Sequence, residues 1–330
     1  MIMQSVFGNV NYSDKISEAL RSVQFPESPT NLYQPIEYIL SLAGKRIRPQ
    51  LVLLGADLFG YSNIEEVIPA SVAVEYFHNF TLIHDDIMDK APLRRGQATV
   101  HQKWNENVAI LSGDALLIKA YEQLAKCPTP FVPVLLTTFN KVALEVCEGQ
   151  QIDMDFESRE DVSEDEYVNM IRLKTSVLLG GALELGAIIA GASTTERAKL
   201  YSFGENLGIA FQLQDDILDA FGDPKTFGKQ VGGDIIVNKK TILHILLKQD
   251  LNTQDFVLFD SILKLPESES VSKVENMKEL YHKYGVLDKA NTLKEYYTQR
   301  AYANLVEIDV EEPKKRDLFS LADHLMHRAR

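Results

Sequence analysis

Asp85-Asp86-Ile87-Met88-Asp89 has a near copy 130 residues downstream, Asp215-Asp216-Ile217-Leu218-Asp219. Like charges crowded together repel and raise one another's pKa. A divalent cation relieves that repulsion, and donors that are all oxygen suit Mg²⁺. In a helix, residues four apart share a face, one turn above each other. That spacing pairs Asp85 with Asp89 and Asp215 with Asp219. Asp86 and Asp216 project about 100° round the helix from their neighbours. Each cluster therefore presents a two-carboxylate face, and all six aspartates are candidate metal ligands. Two such faces across a cavity would hold several Mg²⁺ ions, with positions left open for water and substrate phosphates. Both clusters are framed by apolar residues (Leu82, Ile83 and Ile87; Leu213, Ile217 and Leu218), a setting that solvated acidic faces usually lack.

The cations point to an anion as the other component. Gly44-Lys45-Arg46-Ile47-Arg48-Pro49 places three positive charges beside a glycine, and Arg94-Arg95-Gly96 closely follows the first acidic cluster. Lys174-Thr175, Gly228-Lys229 and Lys239-Lys240 lie further along. Arginine offers a planar fork to phosphate oxygens, whereas lysine acts as a point charge. Taken with the acidic clusters, they imply an anion held partly by metal and partly by Lys and Arg.

Helices must position these groups. Ile36, Ile39, Leu40 and Ala43 recur at helical spacing, as do Val67, Ala70, Val74, Phe77 and Thr81. The pattern predicts further helices over 105–126, 131–156, 164–191, 195–221, 239–249, 253–263, 268–283, 287–306 and 317–328. Sustained period-two alternation is scarce, so no sheet is expected. Prolines fall mostly between these segments, and no long low-complexity linker interrupts them. The two acidic clusters can share a site only if the whole chain wraps round it. The expected architecture is therefore one all-α domain over 1–330, with a motif-bearing core at about 36–249 and C-terminal helices over 250–330. The chain has 330 residues, 45% of them hydrophobic, and 47 acidic against 34 basic side chains, a net charge of −13. That balance argues against nucleic acid or an anionic membrane as partner. Cys127 and Cys147 form no disulfide framework and fit a reducing compartment. Val177–Ala192 is the most apolar stretch, but it is short of the ~20 residues a span needs. It is rich in Gly and Ala, which predicts a buried helix with backbones packed close. With no signal apparent at the N-terminus, a cytoplasmic protein without a membrane span is expected.

These motifs resemble the trans (E-type) isoprenyl diphosphate synthases. The likeness rests on Gly44-Lys45-Arg46-Ile47-Arg48-Pro49, Glu75 with His78, and Asp85-Asp86-Ile87-Met88-Asp89 with Arg94-Arg95-Gly96. It continues through Gly149-Gln150 and Asp153, Lys174-Thr175, Phe211-Gln212-Leu213-Gln214-Asp215-Asp216-Ile217-Leu218-Asp219, Gly228-Lys229, Gly232-Gly233-Asp234 and Lys239. The resemblance implies an all-α isoprenoid synthase fold around a deep cavity, a homodimer, and Mg²⁺ as cofactor. By position, Asp85, Asp89 and Asp215 would ligate metal bridging an allylic diphosphate (dimethylallyl, geranyl or farnesyl), supported directly or through water by Asp86, Asp216 and Asp219. Arg94, Lys174, Thr175, Gln212, Lys229 and Lys239 would grip that diphosphate. Lys45, Arg48, His78 and Arg95, with the Gly44 backbone, would hold isopentenyl diphosphate. His84, beside oxygen ligands that already suit Mg²⁺, is expected to pack or hydrogen-bond.

Product length should depend on residues upstream of Asp85. Phe80 lies five positions before it, ~7–8 Å along the helix axis, with Phe77 and Tyr76 about one turn further. Phe80 followed by Thr81, with no insertion in the acidic motif, resembles the archaeal-type geranylgeranyl pattern. A product of fifteen to twenty carbons, leaning to twenty, is expected. Two other readings stay open at this point: a class I terpene cyclase, which would not need a second diphosphate cradle, and a non-catalytic subunit that modulates an active partner.

Overall fold

Apolar residues recur at helical spacing, and the computed structural model is accordingly helical almost throughout. It describes residues 12–222 and 232–326. The chain divides into two compact units. The first comprises Met1–Ala143, Gly181–Leu200 and Asp309–Leu318; the second comprises Leu144–Gly180, Tyr201–Ile308 and Phe319–Arg330.

In the first unit, α1 (Tyr12–Ser22), α2 (Thr30–Ser41) and α3 (Ile47–Leu58) lead into α4 (Ile64–Met88). α4 packs along α3 and along α6 (Glu106–Leu124). Val67, Ala70, Val74 and Phe77 are buried as the period predicts, but so is every residue from Ala70 to Phe77, while Thr81 is half-buried: the middle of this helix is enclosed on all sides. The helix ends where Asp89 caps it and Lys90 turns left-handed (φ 51°), with Ala91 N–H donating back to the Asp86 carbonyl at 2.9 Å. This is the usual way a helix satisfies its last carbonyls.

A small hairpin follows: β1 (Leu93–Arg94) pairs antiparallel with β2 (Gln97–Ala98), Arg94 opposite Gln97. The sequence reading expected no sheet, and these two-residue strands are the exception. Arg95 and Gly96 both have positive φ (53° and 76°), the two-residue turn whose twist matches a hairpin. So the glycine after the double arginine serves the turn. Tyr38 Oη donates to the Ala98 carbonyl (2.7 Å) and Thr99 Oγ1 to that of Ala91 (2.7 Å), which pins the hairpin beside the end of α4. The short α5 (Val100–Lys103) completes the turn into α6, whose N-terminus is capped by Asn105 accepting from Val108 N–H.

The apolar Gly- and Ala-rich segment is a buried helix, α9 (Val177–Ile189). Its glycines mark close backbone approach. A Cβ added at Gly186 would lie 1.9 Å from the Val52 carbonyl oxygen, and one added at Gly55 2.2 Å from that of Leu183.

The second unit contains most of α7 (Val132–Ser158) and of α10 (Thr194–Phe221), together with α8 (Glu164–Ile171). α8 begins with a capping box between Ser163 and Glu166. The helix expected over 164–191 is interrupted: Arg172–Ser176 winds as a π-helix between α8 and α9. Such widened turns occur frequently at functional sites. Beyond lie α11 (Gly233–Ile236), α12 (Ile242–Asp250), α13 (Thr253–Leu263), α14 (Ser270–Lys283), α15 (Val286–Val306) and α16 (Glu312–Met326), the last starting earlier than the periodicity suggested. Tyr167, Met170, Leu213, Ile217, Ile242, Leu246, Tyr281 and Val286 belong to this unit's core. No helix of the described residues is long and apolar enough to cross a membrane.

Candidate active site

The first acidic cluster occupies the last turn of α4. Asp85 is half-buried and Asp89, at the cap, is exposed. Asp86 faces inward, 1% exposed, and takes Arg94 across both oxygens: Nε donates at 2.9 and 2.8 Å, and Nη2 lies 2.7 Å away. The hairpin that carries Arg94 therefore neutralises the buried carboxylate. Asp86 and Arg94 were assigned by sequence to metal and diphosphate; the structure brings them to each other. Asp85 and Asp89 remain as the outward pair.

The cation cradle lies in the same unit. Arg48 Nη1 is 3.3 Å from His78 Nε2. Arg95 Nη1 donates to the Leu42 carbonyl (3.3 Å), and its guanidinium lies so near Gly44 that a Cβ there would sit 2.6 Å from Nη1. Gly44 thus leaves room for the Arg95 guanidinium to lie against the backbone. Burial, then Arg48, Arg95, Arg94 and Arg46, hold the His78 pKa well below the usual imidazole value. A neutral His78 accepts from Arg48. Of these guanidiniums, Arg94 and Arg46 are held by Asp86 and Glu75, so Arg48 and Arg95, beside His78, are the pair suited to a charged anion. Lys45 is exposed beside it.

One contact was not legible in the sequence. Arg46, in the same basic run, turns away and forms a buried ion pair with Glu75.

In the second unit the acidic cluster lies near the end of α10. Asp216 is 4% exposed and accepts from the Tyr167 hydroxyl, from Gln212 Nε2 (3.2 Å) and from Ile242 N–H (3.3 Å). Burial pushes its carboxyl up to about 7, against the opposing pull of Tyr167. Gln212, assigned to diphosphate by sequence, is placed on Asp216. Asp219 Oδ2 accepts Asp234 N–H at 3.0 Å, which explains the Gly232-Gly233-Asp234 motif as a backbone rest for that carboxylate. Asp215 and Asp219 are half-buried. Lys174 ion-pairs with Asp153, and both it and Thr175 lie in the π-helical turn. A Cβ at Gly149 would come within 2.2 Å of the Lys174 nitrogen, so Gly149 lets α7 touch that turn. Lys239 is exposed, and its charge lowers the Asp216 pKa. Lys229 lies outside the described residues. Tyr167 carried no signal in the sequence; only packing reveals it.

Among the described residues no three acidic, His or Cys side chains are preassembled as a metal cage. The donors fit Mg²⁺ nonetheless. That ion is commonly bound through one or two carboxylates and completes its shell with water and substrate phosphates, and each cluster offers an oxygen-only pair one helical turn apart.

The residues assigned to product length separate into two groups. Phe80, half-buried, lies 5.7 Å from Phe77 between ring centroids. Phe77 packs edge-on against Phe139 (5.3 Å), and Phe139 against Tyr121 (5.2 Å). The last two rings were not singled out from sequence. Tyr76 instead packs with Phe25 (6.3 Å), in a different cluster. Thr81 Oγ1 donates to the His78 carbonyl (2.8 Å). His84 lies 3.2 Å from the Ile110 carbonyl and edge-on to Phe80, the packing role expected of it.

The family described as polyprenyl synthetase matches residues 29–281. Geranylgeranyl diphosphate synthase of Methanosarcina mazei is 37% identical over 331 aligned residues, covering 99% of each chain. A crystal structure of a geranylgeranyl pyrophosphate synthase superposes with a TM-score of 0.91 at 44% identity, covering 99% of both chains. A polyprenyl synthase of Caulobacter crescentus, complexed with calcium and isoprenyl diphosphate, gives 0.81 at 27% identity, covering 96% of this chain and 95% of that one. These similarities establish the all-α isoprenoid synthase fold.

Proposed function

The chain belongs to the polyprenyl synthetase family, and we propose that it condenses an allylic diphosphate with isopentenyl diphosphate, head to tail. The products are pyrophosphate and an all-trans prenyl diphosphate of fifteen to twenty carbons, with twenty favoured. It is a trans-isoprenyl diphosphate synthase. The observation that carries the two-substrate reading is the guanidinium cradle round His78, because a terpene cyclase has no second diphosphate to hold there.

Lys45, Arg48, His78 and Arg95, with the Gly44 backbone, bind isopentenyl diphosphate. Asp85, Asp89 and Asp215 are the principal Mg²⁺ ligands, with Asp86, Asp216 and Asp219 in support. Bound Mg²⁺ supplies Lewis-acid stabilisation of the departing diphosphate. Arg94, Lys174, Thr175, Gln212, Lys229 and Lys239 steady the allylic diphosphate and stabilise its growing charge more in the transition state than before it. The allylic C–O bond breaks, and the isopentenyl double bond attacks the resulting cation. A proton is then lost, with the departing diphosphate as acceptor, so no side-chain base is required. Exclusion of water protects the cation from hydrolysis.

The chain works as one catalytic domain over 1–330, in the cytoplasm and as a homodimer. Exposed Ile110, Leu111 and Ile118 on one side of α6 support the dimer. The deciding experiment incubates purified protein with Mg²⁺, labelled isopentenyl diphosphate and primers of five, ten and fifteen carbons, and identifies products by mass. Incorporation of label that stops at twenty carbons supports the assignment. Cyclised hydrocarbon without label, or activity only after mixing with a second protein, refutes it.

A further inference from the structure

Of the three cations in the run Lys45-Arg46-Ile47-Arg48, one is held by a carboxylate of a neighbouring helix. Arg46 is the N-cap of α3 and has a left-handed backbone (φ 49°, ψ 41°), a conformation that costs energy in a non-glycine residue. Its side chain is 10% exposed and its partner Glu75, on α4, only 2%. Nη1 donates to Glu75 Oε1, while Nη2 donates to the carbonyls of Leu40 (2.5 Å) and Leu42 (3.1 Å) at the end of α2. Glu75 is itself fixed, since Oε1 also accepts from Asn79 Nδ2 at 2.8 Å. Gln50 Nε2 donates to the carbonyls of Lys45 (2.8 Å) and Arg46 (2.9 Å), so the peptide chain at this bend is gripped from both sides.

We infer that Arg46 and Glu75, with Gln50, are positioning residues: one buried ion pair ties α2, α3 and α4 together at the bend from which Lys45 and Arg48 project towards isopentenyl diphosphate. The inference rests on the function proposed above. Lysine is a poor replacement for Arg46, because its donors sit on one nitrogen, whereas Arg46 reaches Glu75 and the two carbonyls from two nitrogens of a rigid fork. Loss of the hold lets the backbone relax from its left-handed state and moves Lys45 and Arg48 together. Misplacement on the scale of one ångström costs roughly a hundredfold in favourable cases.

The test compares full-length wild type with Arg46→Lys, Glu75→Gln and Gln50→Met in two-substrate initial-rate kinetics, with thermal unfolding of each. The KM for isopentenyl diphosphate is expected to rise roughly tenfold to a hundredfold, while the KM for the allylic diphosphate stays within about twofold. Equal rises in both KM values, or an unchanged isopentenyl KM, overturn the inference. Should Arg46→Lys or Glu75→Gln fail to fold, Gln50→Met decides alone, since it removes only the grip on the two carbonyls. A wild type that does not consume isopentenyl diphosphate refutes the proposed function instead.

Discussion

Rotation by about 100° per residue along α4 leaves Asp85 half-exposed and turns Asp86 inward, where Arg94 takes both its oxygens. The two aspartates should therefore respond differently to amidation. Asp85→Asn removes a metal-binding charge and is expected to lower kcat/KM by about three orders of magnitude, with the Mg²⁺ concentration for half-maximal rate shifted upwards. Its fold should be unchanged by circular dichroism. Normal metal dependence in that variant would remove Asp85 from the ligand set. Phe80 argues the same way for product length. It stands between the acidic turn and Phe77, and Phe77 is backed by Phe139. Phe80→Ala is expected to lengthen the main product by one five-carbon unit, with Phe77 as the next stop. An unaltered product distribution by mass spectrometry would clear Phe80 of this role.

Whole elements are placed by contacts that local periodicity does not describe. The π-helical turn at Arg172–Ser176 sets Lys174 and Thr175 apart from the α-helical register on either side, and Gly149 lets α7 approach it. α12 carries a different liability. His244 is buried edge-on to Phe259 (5.1 Å), and burial, then the Lys248 and Lys240 charges, pushes its pKa down to about 4. The unfolded chain, with an ordinary imidazole, binds the proton more readily between that value and about 6.5. Stability is therefore fully present above about 6.5, declines as pH falls towards 4, and loses nothing further from this group below it. The loss amounts to about 3 kcal/mol at most. In denaturant titrations, His244→Leu should show a smaller drop in unfolding free energy between neutral pH and pH 4.5 than wild type. An identical drop would mean that other groups carry the acid sensitivity.

For the molecule as a whole, a net charge of −13 favours solubility and disfavours acidic partners. The exposed apolar side of α6 at Ile110, Leu111 and Ile118 then needs a reason. The homodimer proposed above would supply one, because self-association can bury apolar side chains despite like net charge. Replacing Leu111 and Ile118 together by Glu is expected to give a monomer by size-exclusion chromatography with light scattering. A wild type already monomeric at micromolar concentration would exclude the dimer.

The amino-acid sequence was sufficient for whatever depends on spacing along one helix: the pairing of Asp85 with Asp89 and of Asp215 with Asp219, and the close-packed helix at 177–189. It was also sufficient for the reaction class, because the order and identity of the charged motifs are local properties. It did not disclose which charges serve one another. Arg46 lies between two cations assigned to substrate yet pairs with Glu75, Arg94 closes on Asp86, and Tyr167 reaches Asp216 from 49 residues away. Each partner comes from a different element, and a buried charge or hydroxyl settles on whichever complementary group packing brings within hydrogen-bond reach. That choice belongs to the tertiary structure, since helical periodicity orders residues about one axis and says nothing of what the neighbouring axis presents.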